Sequence, residues 1–249
     1  MVGEARLLKA GMQSVLSTLF PAQCINCGEP ATEDFGLCGP CWRETPFIGG
    51  LVCDRCGTPL PGEDEGRQEY CDDCLTLARP WDRGRAALLY KDNGRKLVLA
   101  LKHGDRQDLV RPATVWLMRA AGPILKPDML VVPVPLHWTR LFRRRYNQSA
   151  LLSRAVAKAA GLDHCPDLLI RRRKTASQDG RNRDERFANV SGAMHMHRSR
   201  AGRVMGRDVL LIDDVMTSGA TLATAADACL AGGANTVSTL VLARVAKDA

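Results

Sequence analysis

The sequence predicts an α/β protein: a mostly parallel sheet with helices on both faces, preceded by a small zinc-ribbon domain. Three observations carry this prediction. Apolar runs alternate with helical stretches from residue 85 to the end, the pattern of a parallel sheet with crossover helices. Those runs are nearly continuous rather than alternating, as in strands buried on both faces. Eight of the ten cysteines fall before residue 75 as four CxxC pairs.

The elements follow in chain order. Leu8, Met12, Val15, Leu16 and Leu19 recur at helical spacing, so an N-terminal helix is expected within residues 1–22, ended by Pro21. This helix is expected to pack on its own protein, because its polar face carries few of the basic residues a membrane-surface anchor needs.

Residues 23–80 are rich in Gly, Pro and Cys and poor in apolar runs, so a core there would have to be stapled by metal. The pairs are Cys24/Cys27, Cys38/Cys41, Cys53/Cys56 and Cys71/Cys74. Four thiolates close one tetrahedral structural Zn²⁺ site, so four pairs make two. "CINCG" and "CDRCG" place a glycine after the second cysteine, where positive φ lets the chain curl around the ion. Sequential pairing is the simpler arrangement, and a cross-brace stays open. A closed thiolate site gives zinc no catalytic role. Cys229 sits in a helical apolar pattern and reads as core, and nothing near Cys165 activates it.

Residues 81–249 form the second domain. "RAALLY", "MLVVPVPL", "RDVLLIDD" and "NTVSTLVLARV" read as strands, with helices over about 94–103, 108–121, 147–160 and 219–231. Pro133 and Pro135 cannot donate to a central ladder, so the second strand is expected to stop around residues 132–135. Residues 171–207 are Arg-rich and break the pattern, reading as a long flexible basic loop. No run of about 18 apolar residues is present to span a membrane. The first twenty residues hold Glu4 and lack a signal-peptide pattern, so a cytoplasmic location is expected.

Chemistry concentrates in "VLLIDDVMTSGAT". Asp213 and Asp214 fall at the carboxyl end of a buried strand, where ligands bind in open α/β sheets. Thr217, Ser218, Gly219, Ala220 and Thr221 lead into a helix whose N-terminal amides and hydroxyls can cradle a phosphate. A ligand that wants carboxylates and an anion site together is a sugar phosphate: the acids take hydroxyl donors and the loop takes the 5-phosphate. The bland alternative is an acid pair that merely caps the next helix.

This string resembles the phosphoribosyl-diphosphate (PRPP) motif of type I phosphoribosyltransferases. The resemblance implies that Asp213 and Asp214 bind the ribose hydroxyls and act at the reacting centre, that residues 217–221 bind the 5-phosphate, and that Mg²⁺ accompanies PRPP. Ser218 stands where the family often has Thr, with the hydroxyl kept. "LFPAQCINCG", "LKHGDRQDLV", "VVPVPLHWTRLFRRRYNQSALL" and "RRRKTASQDGRNRDERFANVSGAM" are similar to the ComF (ComFC) family, which carries an N-terminal double zinc ribbon. By that resemblance the loop after the second strand holds pyrophosphate, with Pro135, Leu136, Arg143, Arg144 and Arg145 as candidates. Arg145 departs from the glycine usual before the aromatic, which is expected to tighten the backbone and alter the loop.

The chain carries a net charge of +8, which favours an anionic partner. Positive charge gathers between residues 140 and 207, beyond what pyrophosphate needs, and a second polyanion is expected there. The ComF resemblance implies a part in natural transformation: handling incoming single-stranded DNA beside a helicase-like partner, with Trp138 or Tyr146 as stacking platforms. The alternative is an active phosphoribosyltransferase moving phosphoribose from PRPP to a small nitrogenous acceptor. "LVLARVAKDA" ends without an aromatic to stack a base, which weakens a salvage role.

Overall fold

The computed structural model describes residues 21–173, 185 and 192–246. Residues 1–20 of the expected N-terminal helix lie outside the described residues. Two compact units divide the chain, Met1–Thr45 and Pro46–Ala249.

In the smaller unit, the Gly28 amide donates to the Cys24 carbonyl (2.9 Å) and the Cys24 amide to the Glu29 carbonyl (2.7 Å). This knuckle turns at Gly28, φ +81°. The second pair opens a short helix, α1 (Gly39–Glu44), with Cys38 at its N-cap.

The larger unit begins with the same device. Gly57 donates to the Cys53 carbonyl and Cys53 to the Thr58 carbonyl, both at 2.8 Å. Cys71 caps helix α2 (Asp72–Thr76). The second ribbon is built into this unit's core: Cys53, Cys56 and Cys74 are buried with Trp81, Ala86, Met216 and Leu222.

The sheet of the larger unit contains β1 (Arg83–Leu89), β2 (Leu130–Pro133), β3 (Asp163–His164), β6 (Asp208–Met216) and β7 (Thr236–Arg244). Its order is β1-β7-β6-β2-β3, all parallel. The central β6 and β7 are rich in Val and Leu, the residues that fit a pleat buried on both faces. Alternation divides them between two layers. Val209 and Leu211 join the cluster containing Leu222, Ala226 and the ribbon cysteines, whereas Leu210 and Ile212 are fully buried outside it. The helices are α3 (Asp92–His103), α4 (Val110–Ala121), α5 (Trp138–Arg144), α6 (Gln148–Ala160) and α7 (Ala220–Ala231). Helices α4 and α6 pack on each other and on the sheet; α7 packs on β6 and β7. The expected α/β architecture is present, and β2 stops at Pro133 as expected.

Two expectations need correction. The span 171–207 is not all loop. β4 (Leu169–Arg171) pairs antiparallel with β5 (Met194–Met196), and a 3-10 turn covers Arg198–Arg203. An apolar residue on each side, Leu169 and Met194, joins the core cluster, which ties both ends of the excursion down; residues 174–184 and 186–191 lie outside the described residues. Nor does β6 end at the acid pair. Its ladder with β7 runs on to Met216, while its ladder with β2 stops at Ile212. Asp213 and Asp214 therefore sit where the β2 edge falls away and one side of β6 opens.

Candidate functional site

The two cysteine tetrads are sequential: Cys24, Cys27, Cys38 and Cys41 form one, and Cys53, Cys56, Cys71 and Cys74 the other. In each, all four Sγ atoms lie within 4.8 Å of one another. Zn–S bonds of about 2.3 Å in a tetrahedron place sulfurs about 3.8 Å apart, so both sets fit Zn²⁺.

At the open side of β6, successive side chains diverge. Asp214 is buried and meets the Lys102 ammonium from the end of α3 at 3.1 Å. Asp213 is half-buried and accepts from Ser149 Oγ (2.8 Å), at the start of α6, and from the Asp214 amide (2.8 Å). Burial, and then the neighbouring Asp214 carboxylate, push the Asp213 carboxyl up to about 7. The buried Arg171 guanidinium of β4 lies within the field of Asp213.

Residues 217–221 follow. Gly219 and Ala220 are buried; Thr217, Ser218 and Thr221 are half-buried. Gly219 turns at φ +82°, and a Cβ there would lie 2.6 Å from Arg79 Nη1 and 3.0 Å from the Trp81 ring. The first turn of α7 carries no acid, leaving the positive end of its dipole for an anion. Buried arginines hold the loop's carbonyls. Arg79 donates to Ser218 O (2.5 Å), and Arg244, at the end of β7, donates to Thr217 O (2.5 Å) and Met216 O (3.3 Å). Arg79 lies over the Trp81 ring, whose Nε1 donates to Arg55 O in the second ribbon (2.5 Å).

The loop after β2 starts beside Ile212. Pro135 is buried and Leu136 half-buried. His137 Nδ1 accepts from the Thr139 amide (3.3 Å) and caps α5. Arg143 and Arg145 are exposed and Arg144 is half-buried. Arg143 and Arg144, with Lys102, hold the His103 imidazole below its usual range, after burial as the first cause. These cations therefore share one neighbourhood with Lys102. Arg145 takes φ +64°, the left-handed conformation that suits glycine. The departure from glycine is thus absorbed as strain at one residue closing α5.

The next three residues clamp two backbone segments, the end of α3 and the loop after β2. Tyr146 donates its hydroxyl to Leu101 O (2.7 Å), Asn147 donates to Val134 O (3.1 Å), and Gln148 donates to Lys102 O (3.4 Å). Asn147 also caps α6, accepting from Ser149 N (3.1 Å). Tyr146 is half-buried, with its hydroxyl engaged by the Leu101 carbonyl. Trp138 is 69% exposed, and Phe142, one turn later on the same face, is 86% exposed.

Residues 15–75 match the double zinc ribbon domain, and residues 152–249 the phosphoribosyl transferase domain. Over 232 residues the chain is 30% identical to the DNA utilization protein YhgH of Salmonella typhi, covering 90% of this chain and 97% of that one. The chain belongs to the ComF family. Within that family it is 26% identical over 213 residues to competence protein F of Haemophilus influenzae (83% and 90% covered). It is 25% identical over 220 residues to competence protein ComFC of Bacillus subtilis (85% and 85% covered).

In this ComF-family protein, two sets of residues escaped the sequence reading. Lys102, Ser149 and Arg171 reach the acid pair from 42 to 112 positions upstream by chain number, and no local pattern links them to it. Arg79 and Arg244 are hidden for the same reason. Phe142 is different: its spacing of four from Trp138 in a basic helix was a readable signal.

Proposed function

We propose that this ComF-family protein binds PRPP, or a related ribose 5-phosphate, at the open side of β6 and handles single-stranded DNA along α5, in the cytoplasm, as part of DNA uptake. The observation that supports it best is the joining of two chemistries at one strand end: carboxylates held by Ser149 and Lys102, then a loop whose carbonyls are engaged by Arg79 and Arg244. Asp213 and Asp214 accept hydrogen bonds from the ribose hydroxyls. The amides and hydroxyls of residues 217–221 donate to the 5-phosphate, with Gly219 allowing close backbone approach. Residues 135–140 and the cations Arg143 and Arg144 face the pyrophosphate. Mg²⁺ bound with PRPP would supply charge neutralisation at the leaving group, beside the cations Arg143 and Arg144.

DNA handling rests on α5. Trp138 and Phe142 present ring faces beside Arg140, Arg143, Arg144 and Arg145, the combination of stacking and phosphate contact used for single strands. Relatives named for DNA utilization and competence point the same way. Whether phosphoribose is passed to an acceptor is a separate question, answered by pyrophosphate release in a panel of bases and amines.

Calorimetry with PRPP and Mg²⁺ tests the ligand. Wild type is expected to bind, and Asp213→Asn/Asp214→Asn to lose most of that affinity. Equal affinity in both proteins ends the PRPP reading.

A further inference from the structure

We propose that Lys102 is a ligand-binding residue that supplies, at Asp214, the positive charge a divalent cation would otherwise bring, so that the acid pair takes a ribose 5-phosphate without metal. The proposal rests on the ribose-phosphate reading of the site and adds to it a resident cation and a metal requirement.

Its first support is the ion pair itself. Lys102 Nζ lies 3.1 Å from Asp214 Oδ1, and the two side chains are only 16% and 12% exposed. A pair so shielded is not a surface contact that opens at no cost: removing one partner leaves a buried uncompensated charge. The second support is how Lys102 is held. It lies in the last turn of α3, which ends at His103, and its two neighbouring carbonyls are gripped by residues just before and at the start of α6. Leu101 O accepts from Tyr146 and Lys102 O from Gln148. Three successive residues, Tyr146 to Gln148, thus tie α3 to the loop that leaves β2, and Asn147 pins Val134 of that same loop. The backbone that carries Lys102 is thus fixed to the frame, and its ammonium is held by Asp214.

The third support is charge. A divalent ion on Asp214 would sit against the Lys102 ammonium, with Arg143 and Arg144 in the same neighbourhood. Such a neighbourhood repels a small dication and attracts a phosphate oxygen. An ammonium has three donors. Asp214 takes one, and the others suit an oxygen on the ligand's C1 side. Lys102 then does two things at once: it balances Asp214 before the ligand arrives, and it donates to the oxygen on the ligand's C1 side.

Ribose 5-phosphate is the probe that isolates this, because it lacks the pyrophosphate to which Mg²⁺ binds on its own account. Zinc-loaded full-length protein is titrated by calorimetry in Mg²⁺-free buffer and in excess Mg²⁺, with zinc content measured before and after. Wild type is expected to bind equally in both. Lys102→Met, which keeps the apolar stem, is expected to lose about tenfold or more in Mg²⁺-free buffer and to recover with Mg²⁺. Lys102→Arg is expected to stay independent of Mg²⁺. Binding of the wild type only with Mg²⁺ overturns the proposal without any variant. So does a Lys102→Met protein that binds as wild type in Mg²⁺-free buffer. A wild type that binds in neither buffer removes the ribose-phosphate reading, and the Lys102 proposal falls with it.

Discussion

Arg79 reaches across 139 positions of sequence to donate a hydrogen bond to the carbonyl of Ser218, at 2.5 Å. The same guanidinium lies over Trp81, which bonds the second ribbon through Arg55. The loop that follows the acid pair and the second zinc ribbon are therefore tied together.

That arrangement makes Gly219 irreplaceable. Gly219→Ala combines a left-handed φ of +82° with a Cβ 2.6 Å from Arg79 Nη1. It is expected to lower stability by about 1–2 kcal/mol from the backbone alone and to abolish ribose 5-phosphate binding. Thermal melts and calorimetry check both; unchanged affinity would separate the loop from the ligand.

The two tetrads are expected to differ when broken. Cys74→Ser removes a thiolate from a cluster buried in the core of the larger unit. It is expected to lower the main melting transition sharply, because metal binding free energy there is folding free energy. Cys27→Ser, at an exposed ligand of the smaller unit, is expected to leave that transition nearly unmoved. Equal effects would show that the ribbons are energetically equivalent.

Asp213 carries a pH signature. Its carboxyl sits near 7 in the folded protein against an ordinary 3.8, raised by burial and by Asp214. The folded state therefore keeps a proton that the unfolded chain has released, and stability falls as pH rises from about 4 to about 7. Asp213→Asn keeps an acceptor for Ser149 and cannot ionise. It is expected to be the more stable protein at pH above about 7, with the advantage shrinking towards pH 4, while losing ribose-phosphate affinity. Melts across that range decide it: a constant difference between the two proteins would sink the assignment.

Arg145→Gly relieves the left-handed residue at the end of α5. The expected gain is about 1 kcal/mol, read as a higher denaturation midpoint with an unchanged slope. A loss would mean that the Arg145 side chain contributes more than its backbone costs.

Single-stranded DNA binding separates stacking from charge. Trp138→Ala/Phe142→Ala is expected to weaken binding by about 1–3 kcal/mol per stacked base and to leave the salt slope alone. Arg143→Gln is expected to reduce the log–log salt slope by about 0.7. A wild type whose affinity is flat in salt would remove the polyanion reading.

The sequence by itself determined what periodicity, spacing and local motif encode: the parallel sheet with its helices, the eight thiolates, and "IDDVMTSGAT" as strand, acid pair, loop and helix start. These depend on residues within a few positions of one another, so the chain states them openly. Even the sequential cysteine sets follow the simplest order along the chain. Only the tertiary structure decided what surrounds them. Lys102, Ser149, Arg79 and Arg244 meet the acid pair and the loop after it because the parallel sheet brings distant parts of the chain together. It also decided that the Tyr146 hydroxyl bonds the Leu101 carbonyl while Phe142 stands in solvent, and that the second ribbon packs into the core of the larger unit. Burial and long-range pairing are properties of the packed molecule, and no local pattern of residues carries them.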